Sequence, residues 1–73
     1  MLEKFQKVVQ RYTGNENITV VGSMQLLSDM GLSSYEMYEL ICEVEDEFNI
    51  AVPDEVISRF KTVQDIIDFI SAN

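Results

Sequence analysis

Two adjacent serines, Ser33 and Ser34, follow the loop-like run Asp29-Met30-Gly31-Leu32 and immediately precede the most regular apolar periodicity in the chain. Ser33 and Glu36 have the spacing of a capping box, in which the serine side chain takes a backbone N–H and the glutamate reaches back to the serine's own N–H. A capping Ser33 has its hydroxyl occupied, whereas Ser34, as the first helical residue, is left with a hydroxyl that can point outward. A phosphate ester on that hydroxyl would lie beside the unpaired N–H groups and positive dipole end of a helix. On local pattern alone, the pair reads equally well as serines that simply start a helix.

The rest of the chemical inventory is sparse. The 73 residues include no histidine, which removes the commonest general base and the commonest metal ligand. Neither a histidine nor a lysine stands near Ser34 in sequence to activate it as a nucleophile. Cys42 is the single cysteine, too few for an internal disulfide, and no metal-ligand cluster accompanies it. The carboxylates lack calcium-loop spacing. No catalytic residue and no metal site is expected.

The residues after Ser34 suggest recognition. At about 100° per residue, Glu36, Glu39, Glu43 and Glu47 form an acidic stripe with Asp46 beside it. Like charges four apart each cost roughly 0.2–0.5 kcal/mol, so this helix surface serves more than its own stability or is simply a solvated face. Tyr35, Tyr38 and Cys42 make a narrow second band away from the core stripe. An aromatic band edged with acids suits docking to another protein. The competing reading turns Tyr38 into the core and leaves Tyr35 as an isolated exposed aromatic.

The elements that must position these groups are helical. Leu2, Phe5, Val9 and Tyr12 predict a first helix over residues 2–12 with one apolar face, and Thr13-Gly14-Asn15 ends it. Residues 13–33 form a long connection whose Ile18, Val20, Val21, Met24, Leu26 and Leu27 are expected to cover the core. A short helical turn is expected near Met24–Leu27. Met37, Leu40, Ile41, Val44 and Phe48 predict a second helix over 34–48 with these five facing the core and Asn49 closing it. A short helix follows Pro53, with Val56, Ile57 and Phe60 as contacts. The last helix starts at Thr62, capped by Thr62 and Asp65, with Val63, Ile66, Ile67 and Ile70 inward. Ile18–Val21 is β-branched but has no partner strand. The fold class is therefore all-α, a small bundle of three main helices plus one short helix, with residues 1–73 as a single domain.

Charge narrows the partners. Five basic residues face thirteen acidic ones, for a net charge of −8. Residues 1–12 carry Lys4, Lys7 and Arg11 against Glu3, so the remainder is strongly acidic. Such a surface repels phosphate backbones, which disfavours nucleic acid, and steers partners that carry basic patches. No apolar run is long enough to span a membrane, and the start of the chain lacks a secretory signal. A monomer in the cytoplasm is the simplest expectation.

Beyond these readings, residues 26–70 resemble the acyl carrier protein family. Leu26-Leu27-Ser28-Asp29-Met30-Gly31-Leu32-Ser33-Ser34-Tyr35 is similar to the family's leucine, aspartate, leucine, glycine and Asp-Ser-Leu run. Glu39-Leu40, the acidic Glu45-Asp46-Glu47-Phe48-Asn49-Ile50, Val52-Pro53-Asp54-Glu55, Thr62-Val63-Gln64-Asp65 and Ile67-Asp68-Phe69-Ile70 follow in the family's order and spacing. The resemblance implies that Ser34 carries a covalent 4′-phosphopantetheine derived from coenzyme A, holding acyl groups as thioesters in fatty acid or specialised lipid or polyketide synthesis. It implies two kinds of partner, a phosphopantetheinyl transferase and acyl-processing enzymes with basic docking patches. Tyr35, Glu36, Tyr38, Glu39, Cys42, Glu43, Asp46 and Glu47 would meet them. Ser33 stands where the family has aspartate and Tyr35 where it has leucine, implying a different transferase contact and partners unlike those of a housekeeping fatty-acid carrier. The alternatives are an aminoacyl or peptidyl carrier, and a helical interaction module that has lost the arm.

Overall fold

The computed structural model describes residues 1–72. Four helices follow one another: α1 (Leu2–Thr13), α2 (Ser34–Phe48), α3 (Asp54–Ile57) and α4 (Val63–Ser71). The described residues contain no strand, only an isolated antiparallel bridge between Gln25 and Thr62. None of these helices is long and apolar enough to cross a membrane.

In α1 the buried set is Phe5, Val8 and Val9, with Tyr12 half-buried. The expected face contained Leu2 and omitted Val8. Leu2 lies in the first turn and is 38% exposed, while Phe5, Val8, Val9 and Tyr12 complete the i, i+3, i+4, i+7 pattern. Gly14 ends the helix at φ 72°, a left-handed conformation that glycine adopts without a Cβ penalty, and its N–H returns to the Gln10 carbonyl.

α2 has the expected bounds because local chemistry defines both ends. Ser33 and Glu36 make the reciprocal capping box, and Asn49 closes the helix at φ 55° with its N–H on the Glu45 carbonyl. Met37, Leu40, Ile41 and Val44 are buried; Phe48, in the last turn, is half-buried. Glu45 then accepts a hydrogen bond from the Val52 N–H at 2.8 Å, fixing the chain's exit toward α3.

Pro53 leads into α3, which buries Ile57. Phe60 follows and packs edge-to-face on Phe69 of α4, with ring centroids 6.0 Å apart. Thr62 and Asp65 form a second capping box at the start of α4. The backbone N–H groups of Lys61 and then Thr62, both donating to the Asp65 carboxylate, hold its pKa below the ordinary 3.8.

The long connection over 14–33 contains no helix. The expected helical turn at Met24–Leu27 is instead a turn closed by Asp29 and Met30 N–H groups on the Gln25 carbonyl. Gln25 is held in the bridge to Thr62, which competes with any helix there. Val20 and Leu26 are buried as expected, but Val21 and Leu27 are 47% and 52% exposed. Glutamines of α1 anchor the segment: Gln6 accepts from the Val20 N–H at 2.8 Å and Gln10 donates to the Ile18 carbonyl at 3.1 Å. At its far end Leu26 N–H donates to the Lys61 carbonyl, Val63 N–H to Met24 and Gln64 N–H to Gly22. These bonds satisfy backbone groups that water no longer reaches and join the connection to the α3–α4 junction.

Candidate functional site

Ser34 is exposed at the first position of α2. The neighbouring Ser33 hydroxyl accepts from the Glu36 N–H at 3.2 Å, and Glu36 Oε1 accepts from the Ser33 N–H at 3.0 Å. The cap thus consumes one of the two serine hydroxyls and leaves the other; within the described residues Ser34 Oγ makes no hydrogen bond. The first-turn N–H groups beside it are the ones a helix leaves unpaired.

Ser34 also forms part of the wall of an open cleft of 510 Å³. α2 contributes Ser34, Met37 and Tyr38; the connection contributes Gln25, Leu27 and Ser28; the α3–α4 junction contributes Ser58, Phe60 and Lys61. Sequence reasoning identified Ser34 but not the cleft, because one of its walls lies more than twenty residues further along the chain. The bridge between Gln25 and Thr62 and the backbone bonds around it bring the connection and the junction together.

The eight residues expected to meet partners divide into groups. Tyr35 is 71% exposed. Cys42 is an exposed free thiol, and Glu43 and Asp46 are exposed on either side of it. Tyr38 is 36% exposed and lines the cleft, between the two readings open for it. Glu36 is half-buried, folded back onto the cap. Glu39 accepts a hydrogen bond from the Tyr12 hydroxyl at 2.8 Å; partial burial and then that bond push Tyr12 up to about 12. Glu47 turns toward α1, where Arg11 Nη2 lies at 2.7 Å and Lys4 Nζ at 3.9 Å. Lys4 also sits 4.9 Å above the Phe48 ring. The hydrogen bond from Arg11 holds the Glu47 carboxyl below the ordinary 4.5. The acidic stripe of one helix is thus partly neutralised by a neighbouring helix, a contact that a single-helix projection does not contain.

These pairings set the expected response to ions and acid. Among the described residues no group of three or more potential ligands gathers in a way that holds a metal. Millimolar magnesium or calcium, at fixed ionic strength, is expected to raise the melting temperature by diffuse association with the crowded carboxylates, which relieves their mutual repulsion; an unchanged value would refute this. Mild acid acts in the same direction. Strong acid reverses it, because Glu47 and Asp65 have lowered pKa values: their contribution is full above the ordinary 4.5 and 3.8 and is lost as pH falls through the lowered values. Melting temperature against pH should pass through a maximum, and a monotonic rise down to pH values below both would contradict the two pairings.

The profile of the family described as the phosphopantetheine attachment site matches residues 3–70. Among solved structures, a provisionally assigned acyl carrier protein from Mycobacterium tuberculosis is 28% identical, with a TM-score of 0.88 over 97% of this chain and 95% of that one.

Proposed function

The chain belongs to the acyl carrier family of phosphopantetheine-binding proteins, and from that membership we propose that Ser34 is the residue that bears the arm. The observation that carries this is the pairing at the start of α2: Ser33 is committed to the cap while the neighbouring hydroxyl is exposed, unbonded and beside a cleft. The residues suit the group. The attachment atom is accessible, and the adjoining cleft offers Met37, Leu27, Tyr38 and Phe60 for hydrocarbon and Gln25, Ser28, Ser58 and Lys61 for polar atoms.

The family's members carry and do not catalyse, and the side chains here agree with that division of labour. When bound, the arm supplies a terminal thiol on which acyl groups are held as thioesters. Ser34 contributes its oxygen, and the base that takes its proton belongs to the transferase, since this chain has no histidine. Cap and core hold α2, so the hydroxyl is presented from a rigid helix end. Glu43 and Asp46, exposed beside Cys42, with Tyr35 exposed two turns before, form the surface that meets basic patches on acyl-processing enzymes. Weak, steered contacts of this kind suit a carrier that visits enzymes in turn.

In this reading the 73 residues form one carrier domain, a cytosolic monomer serving fatty acid or specialised lipid or polyketide synthesis. The reading is tested by the intact mass after incubation with coenzyme A, magnesium and a broad-specificity phosphopantetheinyl transferase. A gain of one phosphopantetheinyl group that is absent from Ser34→Ala supports it. No gain, with that transferase or with those of the native host, would replace it with a module that only binds partners.

A further inference from the structure

We propose that Lys61 holds the phosphodiester of an arm on Ser34 and thereby seats the arm's first half in the adjoining cleft. The proposal rests on Ser34 being the attachment point. It starts from where the chain spends its few cations. Of five, Lys4 and Arg11 are engaged by Glu47 on the far flank of α2, Lys7 belongs to α1, and Arg59 does not line the cleft. Lys61 is the one cation among the residues that line the cleft with Ser34.

A phosphodiester adds a negative charge to a chain already at −8, at a helix end where the Glu36 carboxylate is half-buried. The first-turn N–H groups favour an anion there while the acidic surroundings oppose it, and a cation on the cleft wall offsets that opposition. The base of the Lys61 side chain is held in place. Its N–H donates to Asp65 Oδ2 at 2.9 Å and its carbonyl accepts from the Leu26 N–H at 2.9 Å. The Asp65 carboxylate feels the Lys61 charge, but its hydrogen bonds come from the backbone N–H groups of Lys61 and Thr62 and from no ammonium, and among the described residues no carboxylate lies within 4.0 Å of Lys61 Nζ. The ammonium group is therefore available to an anion.

The remaining lining offers both kinds of surface that the arm would need, apolar and hydrogen-bonding. After the phosphate comes a branched hydrocarbon with one hydroxyl, then two amides. Met37 and Phe60 are nearly buried in the cleft wall and Leu27 is half-exposed at its edge, surfaces that gain from covering hydrocarbon. Gln25, whose Oε1 already accepts from Ser28 Oγ at 3.1 Å, keeps its side-chain N–H groups for the arm's carbonyls.

The test uses the full chain, unmodified and modified, with mass confirming the gain of the arm. Nuclear Overhauser contacts from the arm's geminal methyl groups to Leu27 and Phe60, and a shift of the Lys61 ε-methylene signal on modification, are expected. In Lys61→Gln the seated-to-free ratio is expected to fall about two- to fivefold, the range of a partly exposed ion pair, while Arg59→Gln leaves it unchanged. Salt should weaken the contacts in the wild type more than in Lys61→Gln. A modified protein without those contacts, or one in which Lys61→Gln behaves as wild type, overturns the seat while leaving Ser34 as the attachment point; a chain that never gains the arm overturns both.

Discussion

Ser34→Ala removes arm loading completely and leaves the fold intact, whereas Ser33→Ala leaves a chain that is still loaded but measurably less stable. The two serines are neighbours with opposite duties. Ser33 Oγ satisfies the Glu36 N–H, and losing such a cap costs about 1 kcal/mol, or roughly 4–8 °C in the melting temperature of a domain this size. Ser34 is exposed and makes no cap bond, so its truncation should stay within about 0.5 kcal/mol, a shift of no more than roughly 2–4 °C. Intact mass after transferase treatment reads the first property and thermal melting the second. If Ser33→Ala abolished loading while Ser34→Ala preserved it, the attachment point would move by one residue and the division of roles would be wrong.

A second large effect is expected in the core beneath that site. Ile41 is 0% exposed, on the same helix as Ser34 and flanked by the equally buried Leu40 and Val44. Truncating such a residue to alanine costs about 2–5 kcal/mol, because the lost transfer energy adds to an unfilled cavity. Against a total stability of roughly 4–11 kcal/mol for 73 residues, Ile41→Ala should lower the melting temperature by about 8 °C or more. Val21→Ala, at a position 47% exposed, serves as the comparison and should move it little. Equal shifts from the two would mean that α2 does not pack as described. Because Ser34 depends on α2 for its presentation, loading of Ile41→Ala should fail at temperatures where the wild type is still loaded.

What the sequence made legible follows the range of the interactions involved. The ends of α2 were readable because Ser33, Glu36 and Asn49 act within a few residues of one another, and its inward face because Met37, Leu40, Ile41 and Val44 repeat at the helical period. The start of α4 was readable for the same reason. The course of residues 14–33 was not. The side chains of Gln6 and Gln10 and the backbone of Lys61, Val63 and Gln64 hold it through hydrogen bonds between distant parts of the chain, which leave no periodic trace. α1 was found, but its face was placed by starting the stripe at Leu2; beginning at Phe5 brings in Val8. At the site, the free hydroxyl of Ser34 could be argued from capping alone, while the cleft needed Phe60 and Lys61 from beyond α3. The eightfold docking surface was drawn on one helix, so the diversion of Glu47 to Arg11 and of Glu39 to Tyr12 lay outside what that projection contains.

Ser71 Oγ lies 3.3 Å from Met1 Sδ, so the two ends of the described chain leave the bundle side by side, although its longest dimension is 28 Å. Joined to other segments at both ends, the bundle would hang from the connecting thread like a bead on a loop and not sit within it as a spacer. The separation of its neighbours would then be governed by their tethers, and Ser34 would swing around a single pivot.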